Sequence, residues 1–282
     1  MECPHCHAPI RQSEYLCPVC YKPCDYPNVR AACTPEEQKA LAERLSQAEA
    51  NAARCGTATV LALFREAVRS SKAVLCRPIG LVMTLVSSDS QLYASFYQLV
   101  GMGGRRPEDS ATDRARLIAD DLLFPYYQDQ IRFAALSLDG LGVTSYGECS
   151  LVLKEVMIRE RATVFEENSL NFCTKRNLGV SQGVPPGYRA IWGHRDQLAA
   201  AKLAGVIRPG IHQSQFPSIL LDAASNPRDP NFIEVHIYGT LHRLNIERAV
   251  VRRPKRNADK ALLKEIERKL RDPKVGATIE II

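Results

Sequence analysis

Phe232-Ile-Glu234-Val-His236-Ile-Tyr-Gly239 reads as a β-strand over 232–237. Alternation along a strand turns Glu234 to the face opposite Ile233 and Val235, and places His236 on the same face as Glu234. One side of this strand is therefore apolar, and the other carries a carboxylate beside an imidazole. Outward from it, 131–138, 148–153 and 248–251 have the texture of further strands, and 79–86 reads as a buried one. Thr34-Pro35-Glu36-Glu37 opens a helix, with Thr34 as N-cap, Pro35 in the first turn and Glu37 at the capping-box position. That helix runs to about Arg54 and ends at Gly56. Further helices are expected over 58–70, 113–123, 195–203 and 257–270, and 180–187 is a Gly/Pro loop. No internal repeat is evident. Strands that mostly do not alternate with helices give an α+β fold.

The chain has 282 residues, of which 45% are hydrophobic and 24% charged, the mix of an ordinary globular protein and not of a disordered one. No apolar run approaches the roughly 18–20 residues of a spanning helix. Met1-Glu2-Cys3-Pro4 lacks the basic region and apolar stretch of a secretory signal, so a cytoplasmic protein with no membrane partner is expected. Lys and Arg outnumber Asp and Glu by 37 to 31. A net charge of +6 is compatible with anionic partners without requiring them.

Six of the ten cysteines fall within the first 33 residues. Cys3-Pro-His-Cys6 and Cys17-Pro-Val-Cys20 form two CxxC pairs separated by ten residues. Two such pairs complete a tetrahedral sulfur site, and the segment has too little apolar area to fold without the metal. Structural zinc on Cys3, Cys6, Cys17 and Cys20 is expected, with His5, His7, Cys24 and Cys33 as possible substitutes. A redox CxxC is the rival, but no thioredoxin-type unit lies nearby. A closed four-ligand site is structural and leaves no position for substrate.

Four spaced segments carry a resemblance. They are Gln91-Leu-Tyr-Ala-Ser-Phe-Tyr with Gly101 and Gly103, then Arg114 and Asp121-Leu-Leu-Phe124; Ile131-Arg-Phe-Ala-Ala-Leu136 with Tyr146-Gly147-Glu-Cys-Ser-Leu-Val-Leu153; Arg161-Ala-Thr163-Val-Phe-Glu-Glu-Asn168-Ser169; and the late strand leading to Asn245-Ile246-Glu-Arg-Ala-Val250-Val251. In their order they resemble bacterial toxin-like proteins of the ADP-ribosyltransferase superfamily, over roughly residues 90–250. The resemblance implies an α+β, ADP-ribosyltransferase-like split β-sheet core with flanking helices, here preceded by a small zinc ribbon. It divides the chain into a ribbon at 1–33, a helical linker region at 34–72 and a catalytic domain at 73–282 with a basic C-terminal helix.

The implied activity is NAD-dependent mono-ADP-ribosyl transfer, toxin- or defence-like, with NAD as co-substrate. A fixed carboxylate would hold the ribose hydroxyl and stabilise an oxocarbenium-like transition state, the role implied for Glu234. Its bland alternative is an exposed strand Glu paired with a Lys or Arg. His236 either orients the acceptor or acts as acid/base, or is a hydrogen-bonded structural histidine. Arg161 suits bidentate pyrophosphate contact, or else a strand-end ion pair with Glu166 or Glu167. Thr163, Asn168 and Ser169 suit ribose or nicotinamide-amide recognition. Tyr146 stacks on nicotinamide or simply packs. Arg77 is the early-strand candidate for the dinucleotide, with Arg105 and Arg106 beside Gly101, Gly103 and Gly104 a second option. That glycine run is not a Rossmann fingerprint.

Arginine-modifying members of the superfamily carry Glu or Gln where this chain has Phe232, which favours an acceptor such as a nucleobase. Phe232 is then a stacking surface, or else core. Arg252, Arg253, Lys255 and Arg256 form a basic stretch suited to RNA or DNA, or a solvated helix flank. A toxin-like activity further implies an antitoxin or immunity protein. The rivals are a zinc-ribbon nucleic-acid-binding module without NAD chemistry, and a nuclease or hydrolase using Glu234, His236, His212 and His242.

Overall fold

The computed structural model describes residues 2–93, 111–179, 183–222, 226 and 230–282. Gly101, Gly103, Gly104, Arg105 and Arg106, and the Arg114 side chain, lie outside the described residues.

Eight strands form one mixed sheet: β1 (Lys72–Arg77), β2 (Ile131–Ser137), β3 (Cys149–Leu153), β4 (Ala162–Phe165), β5 (Arg189–Ile191), β6 (Glu234–Tyr238), β7 (Ile246–Val251) and β8 (Thr278–Ile281). Their order is β5-β4-β6-β2-β1-β3-β7-β8, antiparallel throughout except between β7 and β8. The late strand read from the sequence is β6, flanked by β4 and β2. Its register sets Glu234 opposite Ala135 and Phe165, and His236 opposite Phe133 and Thr163.

Nine α-helices accompany the sheet among the described residues: α1 (Pro27–Ala32), α2 (Pro35–Arg54), α3 (Ala58–Arg69), α4 (Ile79–Val86), α5 (Ala111–Leu123), α6 (Ser169–Lys175), α7 (Arg195–Leu203), α8 (Phe216–Leu220) and α9 (Asn257–Leu270). One sheet face, with Leu75, Leu136, Leu151, Val164, Val235 and Ile237, packs on Leu41, Phe64, Val82, Leu198 and Ile266 of five helices. Helices α2 and α3, from the expected linker region, thus share the principal core with the sheet. The other face carries Ile131 and Phe165 under Leu123, Phe124 and Phe172. Period-2 alternation sorts the side chains between these two cores, with Glu234 and His236 on the second face.

Residues 79–86, expected as a strand, are helix α4. Its buried residues are Ile79, Val82, Leu85 and Val86, a helical spacing within a run too short and apolar for periodicity to decide by eye. Pro78 fixes the turn into the helix, and the Glu148 carboxylate accepts from the Ile79 N–H at 2.8 Å. The Thr34 hydroxyl accepts from the Glu37 N–H as expected of an N-cap. Glu37 itself turns away from the capping box. Its carboxylate accepts from Gly187 N at 2.6 Å and Arg189 Nε at 2.5 Å, which ties α2 to β5.

β1 pairs with β2 only over Lys72–Val74 but with β3 over Val74–Arg77. Beyond Val74, β1 follows β3 and leaves β2. Beside this opening Gly147 crosses the β1 backbone so closely that a Cβ would stand 2.1 Å from the Arg77 carbonyl carbon. Only glycine permits that approach. Gly147→Ala should therefore lower the unfolding free energy by about 1–3 kcal/mol. Gly80→Ala, in α4 with open space around it, should raise it by about 0.5–1 kcal/mol. Urea denaturation of the two variants checks both signs.

Candidate active site and metal centre

Glu234 and His236 are both buried, 3% and 2% exposed, at the centre of the sheet. The Glu234 Oε2 atom lies 2.9 Å from His236 Nε2 and accepts from the Ser169 N–H at 2.9 Å. Among the described residues Oε1 has only the longer contact from Asn168 Nδ2, at 3.4 Å. Asn168 is the N-cap of α6, where its Oδ1 accepts from the Asn171 N–H, so one side chain both starts the helix and reaches the carboxylate. Burial on its own would raise the Glu234 carboxyl. The His236 hydrogen bond and charge, then the Arg116 guanidinium and the Ser169 side chain, outweigh it and hold the group below its ordinary value of 4.5. The site thus presents a fixed carboxylate whose ionised form is favoured.

Aromatic rings enclose the imidazole: Phe165 stacks on it at 5.6 Å, and Phe124 and Phe133 meet it edge-on at 4.8 and 5.4 Å. On α7, Lys202 donates to the carbonyls of Glu166 and Phe232 at 2.6 and 3.0 Å, which anchors β4 and the chain leading into β6. Burial lowers its ammonium to about 8. Thiolate chemistry is disfavoured nearby. Burial, then the charges of Asp120 and Glu234, push the Cys173 thiol up to about 11.

The structure brings Asn168 and Ser169 to Glu234, but it sends the other expected residues elsewhere. Arg161 sits at the far end of β4 and donates to the carbonyls of Met157, Tyr238 and Thr240. Among the described residues it makes no ion pair with Glu166 or Glu167, which pair instead with Arg44 and with Lys175 and Arg176. Thr163 is buried, and its hydroxyl receives Asn28 Nδ2 at 3.4 Å. Arg77 ends β1 on the face opposite Glu234, with its guanidinium 5.0 Å from the centre of the Tyr93 ring. Tyr146 is half-exposed and meets Phe232 edge-on at 6.4 Å. Phe232 is core, packed with Ala135 and Val143, so it offers no stacking surface.

Sequence reasoning missed Arg116 and Asn28. The Asn28 side chain, on α1, donates to the carbonyls of Arg161 and His236 at 3.0 and 3.2 Å. It bridges β4 and β6 directly behind the candidate pair. No motif marked it.

Cys3, Cys6, Cys17 and Cys20 form the second centre. Their sulfur atoms all lie within 4.8 Å of one another, close enough to hold a metal ion. Cys3 and Cys20 are 3.7 Å apart, and Cys6 and Cys17 are 3.5 Å apart. The structure also exposes a repeat the sequence reading overlooked, Cys-Pro-x-Cys-x-x-Pro at 3–9 and again at 17–23. Each copy makes the same turn. Cys3 N bonds Ala8 O and Cys17 N bonds Lys22 O, while His7 and Tyr21 occupy positive φ at 59° and 57°. Backbone N–H groups of His5, Val19 and Cys20 point at sulfur, as suits thiolate ligands.

No family model matches the chain, and no curated protein matches it. Among the described residues no helix is long and apolar enough to cross a membrane.

The state of Glu234 fixes a pH dependence. Its folded value lies below its unfolded one, so its contribution to stability is complete above about pH 4.5 and is lost as pH falls through the folded value. The stability difference between wild type and Glu234→Gln, from urea titrations at successive pH, should be flat near neutrality and shrink below pH 4.5. A gap that widens on acidification would show a protonated carboxyl in the folded protein.

Proposed function

We propose that the chain is an NAD-dependent mono-ADP-ribosyltransferase with Glu234 as its catalytic carboxylate and a structural zinc ion on the N-terminal cysteines. The observation that carries the reading is the buried, hydrogen-bonded Glu234, whose Oε1 meets only a long Asn168 contact among the described residues. A carboxylate accepts at about four lone-pair sites, and a ribose hydroxyl can replace that contact. The buried Ser169 side chain interacts with the same carboxylate and finds no other partner among the described residues. A hydroxyl beside the carboxylate can also meet a ligand hydroxyl or amide.

Bound NAD supplies a glycosidic bond whose cleavage leaves positive charge on the ribose. In this reading Glu234 stabilises that charge as a pre-organised carboxylate. His236 orients Glu234 through Oε2, and the substrate hydroxyl takes the place of the long Asn168 contact at Oε1. Arg161 has no part in this assignment, because carbonyls occupy its guanidinium.

Nucleic acid is favoured over protein as the acceptor. The charges of α9 are largely matched within the helix, as in Arg268 with Glu265 and Arg271 with Glu267, and Arg256 pairs with Asp259. Arg252, Arg253 and Lys255 are exposed and have no ion pair among the described residues. Three unmatched cations suit a phosphate backbone. The resemblance adds an antitoxin or immunity protein as a partner, and a cytoplasmic setting in which free thiols persist.

Nicotinamide release from NAD, measured with a lysate supplying acceptors, should fall about a hundred- to thousandfold in folded Glu234→Gln. If wild type neither binds nor cleaves NAD, the reading is overturned and the zinc-dependent nucleic-acid-binding module replaces it.

The zinc assignment rests on ligand chemistry and spacing. Four sulfurs at about 2.3 Å from zinc form a tetrahedron with edges of about 3.8 Å. The separations of 3.5 and 3.7 Å approach that figure. Metal analysis should find one zinc per chain, and Cys17→Ser should abolish it. A chain that folds without metal, with residues 2–26 still protected from proteolysis, would refute the assignment.

A further inference from the structure

Five thiols, not four, meet in the N-terminal segment. Cys24 is buried, and its Sγ lies 3.6 Å from the Cys3 Sγ, with the Cys24 thiol donating. In the 14-residue offset that relates the two knuckles, Cys24 occupies the place of Ile10. Ile10 and Cys24 pack in one small cluster with Cys3 and Cys17. An apolar side chain suffices at that position in the first knuckle. The second knuckle instead places a thiol against a metal ligand.

We propose that Cys3 and Cys24 are a peroxide-sensitive pair, at which oxidation closes a disulfide and opens the metal cluster. The inference rests on the metal reading above and is independent of NAD chemistry. The Cys3 thiolate attacks one oxygen of hydrogen peroxide, the O–O bond breaks, and hydroxide leaves as the sulfenic acid forms. The Cys24 thiol then attacks the Cys3 sulfur, and the sulfenic oxygen departs with the Cys24 proton as water. Two sulfurs lose two electrons in all, and the peroxide gains them. Cys24 suits the resolving role because it is not among the four clustered ligands and lies within reach. Closing from 3.6 Å to a bond of about 2.05 Å requires a movement of about 1.6 Å. The cluster is left with three ligands.

The consequence extends beyond the knuckle. The Arg30 guanidinium grips the carbonyls of Cys24, Asp25 and Gln12. Arg30 belongs to α1, the helix whose Asn28 bridges β4 and β6 behind His236. A Cys3–Cys24 bond therefore acts at the joint between the cluster and the sheet.

The test treats the zinc-loaded full chain with stoichiometric hydrogen peroxide. It follows zinc release to a chromogenic chelator and maps crosslinks by differential alkylation and peptide mass spectrometry. Exposed Cys33 and Cys55 serve as reference thiols. A Cys3–Cys24 crosslink should grow in step with zinc release, and dithiothreitol with added zinc should reverse both. Cys24→Ala should bind one zinc yet lose it irreversibly under peroxide, with Cys3 over-oxidised. A crosslink between other clustered cysteines overturns the proposal, as does reversible behaviour of Cys24→Ala like that of wild type. So does failure of both Cys24→Ala and Cys24→Ile to bind zinc, since Cys24 would then be a ligand. Wild type purified without zinc removes the metal reading alone, and the crosslink map still decides the pair.

Discussion

A carboxylate buried at the centre of a β-sheet is the constraint that organises this molecule. Desolvating an ionised carboxylate costs several kcal/mol unless donors replace its water. Glu234 has such donors from its own strand, through His236, and from the start of α6, through Asn168 and the Ser169 amide. Each must be held in place in turn. The imidazole is walled by Phe124, Phe133 and Phe165, and those rings also make up the second core. The apolar packing on this face and the charge at its centre therefore depend on each other: the rings exclude water, and the donors make its exclusion tolerable.

The N-terminal segment belongs to the same arrangement. Tyr15 stacks on Tyr26 at 5.8 Å, and Tyr26 meets Tyr238 of β6 at 5.4 Å. Arg30 gathers carbonyls of the segment, and Asn28 inserts between β4 and β6. A knuckle of this size has little core of its own, chiefly Ile10 and the buried cysteines. Its contacts with β6 mean that free energy gained by ordering the cysteines also orders the strand that carries Glu234.

Much of this was legible in the sequence where a local rule acts alone. Helix α9 occupies the expected 257–270, because Leu263, Ile266 and Leu270 form an apolar stripe at helical spacing. Likewise β6 was readable from alternation, together with the faces of Glu234 and His236. Reading failed where tertiary context decides. The run 79–86 is equally apolar as strand or helix, and only the turn at Pro78 with the Glu148 carboxylate settles it. Asn28 lies 208 residues from His236, and no spacing rule spans that distance. The knuckle repeat is carried by prolines as well as cysteines, with Pro4 and Pro9 matched by Pro18 and Pro23.

Arg161, Thr163, Asn168 and Ser169 fall within nine positions, and each meets a different part of the β6 environment. Arg161 holds the carbonyl of Tyr238 at the end of the strand, and Thr163 receives the Asn28 amide. Asn168 and Ser169 hold the carboxylate itself. A strand has about 3.3 Å between residues, so Arg161 and Glu234, four registers apart, cannot grip one small ligand group together. The motif is therefore best understood as a frame around one strand. It keeps a single acidic side chain charged and fixed in an apolar sheet, and Oε1 of that side chain is the atom left with the weakest hold.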